Sequence, residues 1–213
     1  GIASVSGPKK KNETFFDERD QKNKLMAYTT HSVIVSRRDS STTYEIALVV
    51  NGQTYKDQYN PVRATTAPNI APGPGTLNPA NGVILYAQNQ PAKDTLVFAS
   101  LEGGQLLSTL VMASGNWFIP LANSKTTDLS RFILPAERIT LLVRAYDGKD
   151  ETTAITDTLN SAPVPTMTMG KTYDFRKIQA KKPSTLADVA TDAPAVLGTQ
   201  TNEVILVTPT NGA

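Results

Sequence analysis

The chain has a single histidine, His31, and no cysteine, which limits the chemistry that its side chains could perform. Without cysteine there is no thiolate nucleophile, thiolate metal site or disulfide. A Ser/His/Asp triad could be built only around His31, and a histidine-rich metal site is impossible. Because His31 stands beside Thr29 and Thr30 at the start of a predicted strand, we expect it at a rim or edge position with no chemical role.

Acidic residues are densest at Asp17, Glu18 and Asp20, and clustered carboxylates can bind calcium. Their spacing is not that of an EF-hand loop, Arg19 stands among them, and lysines on both sides could neutralise them. Calcium usually takes six or more oxygen ligands. The sequence therefore predicts no metal site.

The remaining motifs also have simple structural interpretations. Lys9-Lys10-Lys11 could contact a polyanion or mark a protease site, but beside Gly7-Pro8 we expect a solvated loop. Without interleaved aromatic residues, nucleic-acid binding is not expected. Gly103-Gly104 reads as a hairpin turn, since no helix or lysine follows as a phosphate loop requires. We expect no catalytic residue, no cofactor and no enzyme activity.

Bulk composition is that of a globular protein. The 213 residues are 39% hydrophobic and 19% charged, which allows a buried core. The net charge of +2 gives no general attraction to nucleic acid or anionic lipid. No apolar run approaches the roughly 20 residues that a membrane-spanning helix needs.

Hydrophobic alternation with a period of two recurs along the chain, so the sequence predicts an all-β fold. Asn51-Gly52 between two alternating runs predicts a type I′ hairpin. Trp117 and Phe118 are adjacent in a predicted strand, so one should point inward, and we expect Trp117 in the core. A helical turn is conceivable only at 124–134. The predicted strands are 1–7, 32–35, 43–50, 61–66, 82–87, 95–100, 106–111, 117–119, 139–146, 152–158, 165–169 and 202–209.

Proline and glycine divide the chain into two β-sandwich domains with an extended carboxy-terminal strand. The first domain covers 1–68, and a Pro/Gly linker covers 69–80. The second domain covers 81–175. A polar tether follows at 176–201, and the terminal strand at 202–213 is either a donor strand or the start of a further domain.

The first domain resembles the later two thirds of a fibronectin type III domain. Thr42-Thr43-Tyr44-Glu45-Ile46 is similar to that family's strand F with its tyrosine, and Val62 to Pro68 is similar to strand G and the exit from the domain. Gly1 to Gly7, Asp17 to Asp20 and Thr30 to Val35 complete the match. Nothing corresponds to the family's first two strands, A and B.

The second domain, Asn81 to Phe175, resembles carboxypeptidase regulatory-like (transthyretin-like) domains, in which a turn like Ala113-Ser114-Gly115-Asn116 precedes an aromatic strand. Tandems of this kind are similar to those of large bacterial cell-surface proteins. The resemblance implies an extracellular or cell-surface location. It also makes the tail around Val204 similar to the first strand of a following immunoglobulin-like repeat.

A domain that lacks strands and a spare apolar strand at the other end of the chain together predict donor-strand assembly. We therefore expect a structural subunit of an extracellular filament, pilus or surface coat, whose partners are copies of itself. The alternatives are a monomeric adhesin or carbohydrate-binding stalk that contacts cell-surface glycan, and a non-catalytic accessory module of a secreted hydrolase. The candidate donor residues are Val204, Ile205, Leu206 and Val207. The candidate acceptor residues are Ile2, Val5, Val33 and Val35.

Overall fold

The computed structural model describes residues 2–8, 10–20, 24–50, 53–54, 61–71, 77–134, 138–176 and 204–206. These residues form an all-β sandwich structure, as the sequence predicts, with one short 3-10 turn at Ala87–Asn89. The strands of the amino-terminal part are β1 (Ile2–Gly7), β2 (Lys10–Phe16), β3 (Val33–Val35), β4 (Thr43–Val50), β5 (Gln53–Thr54) and β6 (Val62–Thr65). The later strands are β7 (Ala80–Leu85), β8 (Leu96–Leu101), β9 (Leu106–Leu110), β10 (Asn116–Ile119), β11 (Thr140–Tyr146), β12 (Glu151–Asp157), β13 (Val164–Thr168), β14 (Thr172–Asp174) and β15 (Val204–Leu206).

The first module is built on one sheet in the order β2-β1-β4, with β5 and β6 both on the far edge of β4. All of these pairs are antiparallel. The β4–β5 hairpin pairs Val50 with Gln53, so the predicted Asn51-Gly52 turn lies between them, although these two residues are outside the described part. Alternate residues of β1, such as Ala3 and Val5, face the core and are fully buried.

Strand β2 corrects one expectation, because Lys10 begins an edge strand where a solvated loop was predicted. The strand pairs with β1 from Ile2↔Phe16 to Gly7↔Lys10. Its exposed polar residues carry little hydrophobic alternation, and charged residues are common on sheet edges because they discourage pairing with other chains. The polar pattern that suggested a loop is therefore compatible with an edge strand.

The second module packs two sheets around a separate hydrophobic core. One sheet has the order β10-β7-β13 and the other β14-β12-β11-β8-β9. Trp117 of β10 is 1% exposed and Phe118 is 47% exposed, which confirms the predicted alternation. Leu77 belongs to this core and β7 begins at Ala80, so the end of the predicted 69–80 linker packs with the second module.

Residues 124–134 contain no helix, contrary to the helical turn considered for them. Asp128 forms a side-chain turn instead, accepting hydrogen bonds from Thr126 Oγ1 and from the amide and hydroxyl of Ser130. Lys125 and Phe132 form an isolated bridge across this turn. Side-chain bonds of this local kind compete with helix formation.

Each module contains a tyrosine whose hydroxyl accepts a hydrogen bond from a backbone amide five residues earlier. The Asp39 amide donates to Tyr44 at 2.9 Å, and the Thr168 amide donates to Tyr173 at 3.0 Å. Tyr44 is 2% exposed, whereas Tyr173 is half-buried. This arrangement is typical of the corner between strands in Greek-key sandwiches.

Candidate strand-acceptor site

Strand β3 is the main feature of the first module that could bind another strand. It pairs only with β15 among the strands that the structure describes, in a separate two-stranded sheet. The pairing is antiparallel and lies within one chain, with Val204 opposite Val35, Ile205 opposite Ile34 and Leu206 opposite Val33. Among the described strands, this second sheet therefore combines one strand of the first module with one strand from the far end of the sequence.

The inner face of β3 covers the core of the first module. Val33 is 2% exposed and Val35 is 1% exposed, while Ile34 between them is half-buried. This alternation is that of a strand with one face on a core. The buried apolar residues of the core are Ala3, Val5, Val33, Val35, Tyr44, Ile46 and Leu48.

The structure separates the four candidate acceptor residues into two groups. Ile2 and Val5 lie in β1, whose two edges are occupied by β2 and β4, so β1 offers no free edge for a donor strand. Val5 instead contributes to the core that Val33 and Val35 cover. Val33 and Val35 lie in β3, opposite two of the candidate donor residues. The candidate donor Val207 lies outside the described residues.

A buried carboxylate anchors the segment that leads into β3. Asp17 is 2% exposed and accepts hydrogen bonds from Arg19 Nε at 2.8 Å, Arg19 Nη2 at 2.9 Å and the Ser32 amide at 3.0 Å. The Glu18 amide donates to the Ser32 carbonyl at 2.9 Å. Both backbone groups of Ser32, the residue before β3, are therefore held by Asp17 and Glu18.

The electrostatics of Asp17 reflect two opposing effects. Burial by itself raises the pKa of a carboxyl group. The hydrogen bonds from the side chains of Arg19 and His31 and from two backbone amides outweigh this, so the pKa of Asp17 lies well below its ordinary value. The carboxylate is ionised at neutral pH, as its pairing with Arg19 requires.

His31 is buried, which corrects the expectation of a rim position. It is 8% exposed, its Nδ1 lies 3.2 Å from Asp17 Oδ2, and its ring makes a T-shaped contact with Tyr28. A triad needs a nucleophile at the other ring nitrogen of the histidine. The neighbouring Ser32 hydroxyl instead donates to the Glu18 carboxylate. His31 therefore supports the anchor of β3 in this structure.

The acidic group at 17–20 is engaged by protein partners. Asp17 is paired with Arg19, Glu18 accepts from Ser32, and Asp20 Oδ1 accepts the Met26 amide at 2.9 Å. Over the described ranges, no three His, Asp or Glu side chains are arranged to hold a metal ion. The sequence reveals these acidic residues but not their role, because nothing in the local pattern shows that Arg19 pairs with Asp17 through two nitrogens or that Asp17 binds the Ser32 amide.

No helix in the described part of the chain is long and apolar enough to cross a bilayer. The chain was compared with protein-family models, curated proteins and solved structures, and none of them matches it. The candidate site is therefore defined by its own geometry: strand β3, the core that it covers, and the anchor at Asp17 that precedes it.

Proposed function

We propose that this chain is a structural subunit of an extracellular filament, pilus or surface coat. In the assembly, β15 of one copy pairs with β3 of the next. The observation that carries this proposal is the second layer of the first module, where β3 has no partner other than β15 among the described strands. A core covered by two strands so far apart in sequence depends on a segment that another copy could supply equally well.

Immunoglobulin-type topology explains why β3 is the acceptor. In such sandwiches strands A, B and E share one sheet, while C, F and G share the other. The order β1-β4-β6 fits C, F and G, with Tyr44 near the start of the strand that corresponds to F. By this assignment β3 corresponds to E. The terminal strand β15 then lies where B would pair, which supports the resemblance to a fibronectin type III domain that lacks A and B.

The same contacts can form within one chain or between two. Residues 177–203 connect the second module to β15, and a chain of this length spans up to about 90 Å when extended. Exchange of an identical element between copies is a low-cost route to association. When each copy donates to the next and accepts from the previous one, the contact is heterologous and generates an open fibre.

The strength of such a contact comes from the ladder and from the core. Backbone pairing provides affinity in strand addition, and alternate side chains provide specificity. The register places positions 204 and 206 opposite the buried Val35 and Val33, and position 205 opposite the half-buried Ile34. Directly opposed residues of an antiparallel pair share a face. Charge at 204 and 206 should therefore prevent pairing.

Assembly of the full chain tests this proposal. We expect filaments in negative-stain images of the wild type, and monomers in sedimentation velocity for a Val204→Asp plus Leu206→Asp variant. A Thr201→Asp plus Thr210→Asp variant carries the same added charge outside β15 and should assemble normally.

Filaments of normal length from the Val204→Asp plus Leu206→Asp variant would refute strand complementation. A wild-type chain that stays monomeric even after refolding at high concentration would instead favour the stalk or accessory-module alternatives.

A further inference from the structure

The segment that leads into β3 also contacts the second module. Thr29 Oγ1 donates a hydrogen bond to the carbonyl of Asp147 at 2.9 Å, across the two modules. Gly148, the next residue, approaches the same side chain so closely that a Cβ built on it would lie 2.9 Å from Thr29 Cβ. The turn at Asp147-Gly148 therefore fits against Thr29 only because residue 148 has no side chain.

A second contact lies one residue further along. Thr30 Oγ1 is 3.4 Å from the carbonyl of Asp94, and Arg19 Nη1 is 3.5 Å from the same oxygen. Arg19 also donates to the Thr30 carbonyl, and its guanidinium lies 3.8 Å from the centre of the Tyr28 ring. The guanidinium that binds Asp17 thus also holds the backbone at the inter-module contact.

These contacts form a continuous connection to the acceptor strand. Thr29 and Thr30 touch the second module, Asp17 binds the amide of Ser32, and β3 begins at Val33. Only His31 separates the contacting residues from Ser32. A shift of the second module would therefore displace the start of β3 through a short and hydrogen-bonded segment.

We infer that Asp94, Asp147 and Gly148 form a docking surface on the second module for Thr29 and Thr30, and that docking holds β3 in position to receive a strand. This inference rests on the proposed role of β3 as strand acceptor. Docking of the second module and strand pairing at β3 favour the same position of β3, and two binding events of this kind strengthen each other reciprocally. Docking of the second module then strengthens pairing at β3, and pairing at β3 fixes the angle between the modules.

The docking surface can be disturbed by adding one methyl group to the intact 213-residue chain. Gly148→Ala places a Cβ against Thr29 in a residue whose φ is +100°, whereas Gly170→Ala adds the same methyl group at φ +80° with nothing within 4 Å. Both substitutions strain a second-module turn, but only the first affects the contact. Gly170→Ala is therefore the matched control.

Two readouts on the monomeric chain separate docking from strand exchange. Because the chain has no cysteine, Thr14→Cys and Ser114→Cys, both at exposed positions, allow spin labels that report the distance between the modules. Hydrogen exchange of residues 30–36 reports the order of β3. We expect Gly148→Ala to broaden the distance distribution and to accelerate exchange roughly 2- to 10-fold, the effect of losing one net hydrogen bond. Gly170→Ala should change neither.

Equal behaviour of the two variants would overturn the docking surface. A broadened distance distribution with unchanged exchange at 30–36 would overturn the coupling to β3. Both measurements are made on single chains, so a failure to form filaments would count against the proposed function alone.

Discussion

In the second module the core lies between a sheet of three strands and a sheet of five, all contributed by residues 80–174. In the first module the described strands outside the five-stranded sheet are β3 and β15. The two modules share the sandwich architecture and the tyrosine contact at a five-residue spacing. They differ in where their strands come from, because β15 lies beyond the second module in the sequence while β3 belongs to the first.

Because of this difference, the stability of the first module depends on whether a donor strand is bound to β3. The described strands that close the core of the second module all lie within residues 80–174, whereas β15 must reach β3 from the other end of the chain. A distant contact carries a larger loop-closure cost, although that cost grows slowly with length. Anything that binds the folded module and not the unfolded one stabilises it by mass action. A donor strand, from the same chain or another, is such a ligand.

The largest expected effect comes from removing the donor strand. Deletion of residues 201–213 should lower the free energy of unfolding of the first module by about 3–6 kcal/mol, the transfer free energy of two apolar side chains. The second module should be unaffected. Trp117 is the only tryptophan and lies in the second core, so its fluorescence midpoint in urea should stay constant. Hydrogen exchange in β1 and β4 should report the loss, and equal shifts of both modules would show that β15 does not act on the core of the first module alone.

Lowering the pH should destabilise the first module through Asp17, by less than deletion of the donor strand. The pKa of Asp17 is depressed in the folded chain from an ordinary value of 3.8, so the unfolded chain binds its proton more readily. The stabilising contribution is therefore complete above about pH 4 and declines as the pH falls, by at most about 1.4 kcal/mol per pH unit for this group.

Amide hydrogen exchange of residues 30–36, measured between pH 5 and pH 2.5 and corrected for intrinsic exchange rates, reports this loss of stability. The increase in opening should disappear in Asp17→Asn, which should already be less stable at neutral pH. An equal acid dependence in the variant would show that another group is responsible.

The smallest expected effect is the loss of stability when either tyrosine is replaced by phenylalanine. Tyr44→Phe should cost about 1–1.5 kcal/mol and Tyr173→Phe about 0.5–1 kcal/mol, since each loses one hydrogen bond but only Tyr44 is fully buried. Urea midpoints followed by circular dichroism for the first change and by Trp117 fluorescence for the second would measure both. A larger cost at Tyr173 would contradict the burial argument.

Much of the fold follows from local sequence. Alternation and turn residues predict most strands, the inward direction of Trp117 and the position of the β4–β5 hairpin, because these features depend on neighbouring residues. The edge strand β2 was missed because its residues are mostly polar and lack the hydrophobic alternation by which strands are predicted from local sequence. The helical turn considered at 124–134 was wrong because the side chain of Asp128 binds its own local backbone.

The candidate site was only partly predictable. The sequence predicts an apolar terminal strand, and the resemblance to a fibronectin type III domain predicts that two strands are missing from the first module. These two expectations led to the terminal strand as a partner for the first module, and β15 pairs with β3. The burial of His31, the paired groups around Asp17 and the contact of Thr29 with Asp147 join residues far apart in sequence, so no local pattern reveals them. That a neighbouring copy supplies β15 in an assembly stays a prediction.

Cysteine cross-linking across the β3–β15 pair tests that prediction most directly. Ile34 and Ile205 are opposed in the ladder, and the natural chain has no cysteine. In an Ile34→Cys plus Ile205→Cys variant, oxidised filaments should give a ladder of covalent oligomers on a non-reducing gel, because opposed residues lie within reach of a disulfide after small adjustments. Ile34→Cys plus Val204→Cys, one residue out of register, should give little product. Cross-linked material of monomer mass alone, obtained from assembled filaments, would show that β15 stays in its own chain and would contradict the account.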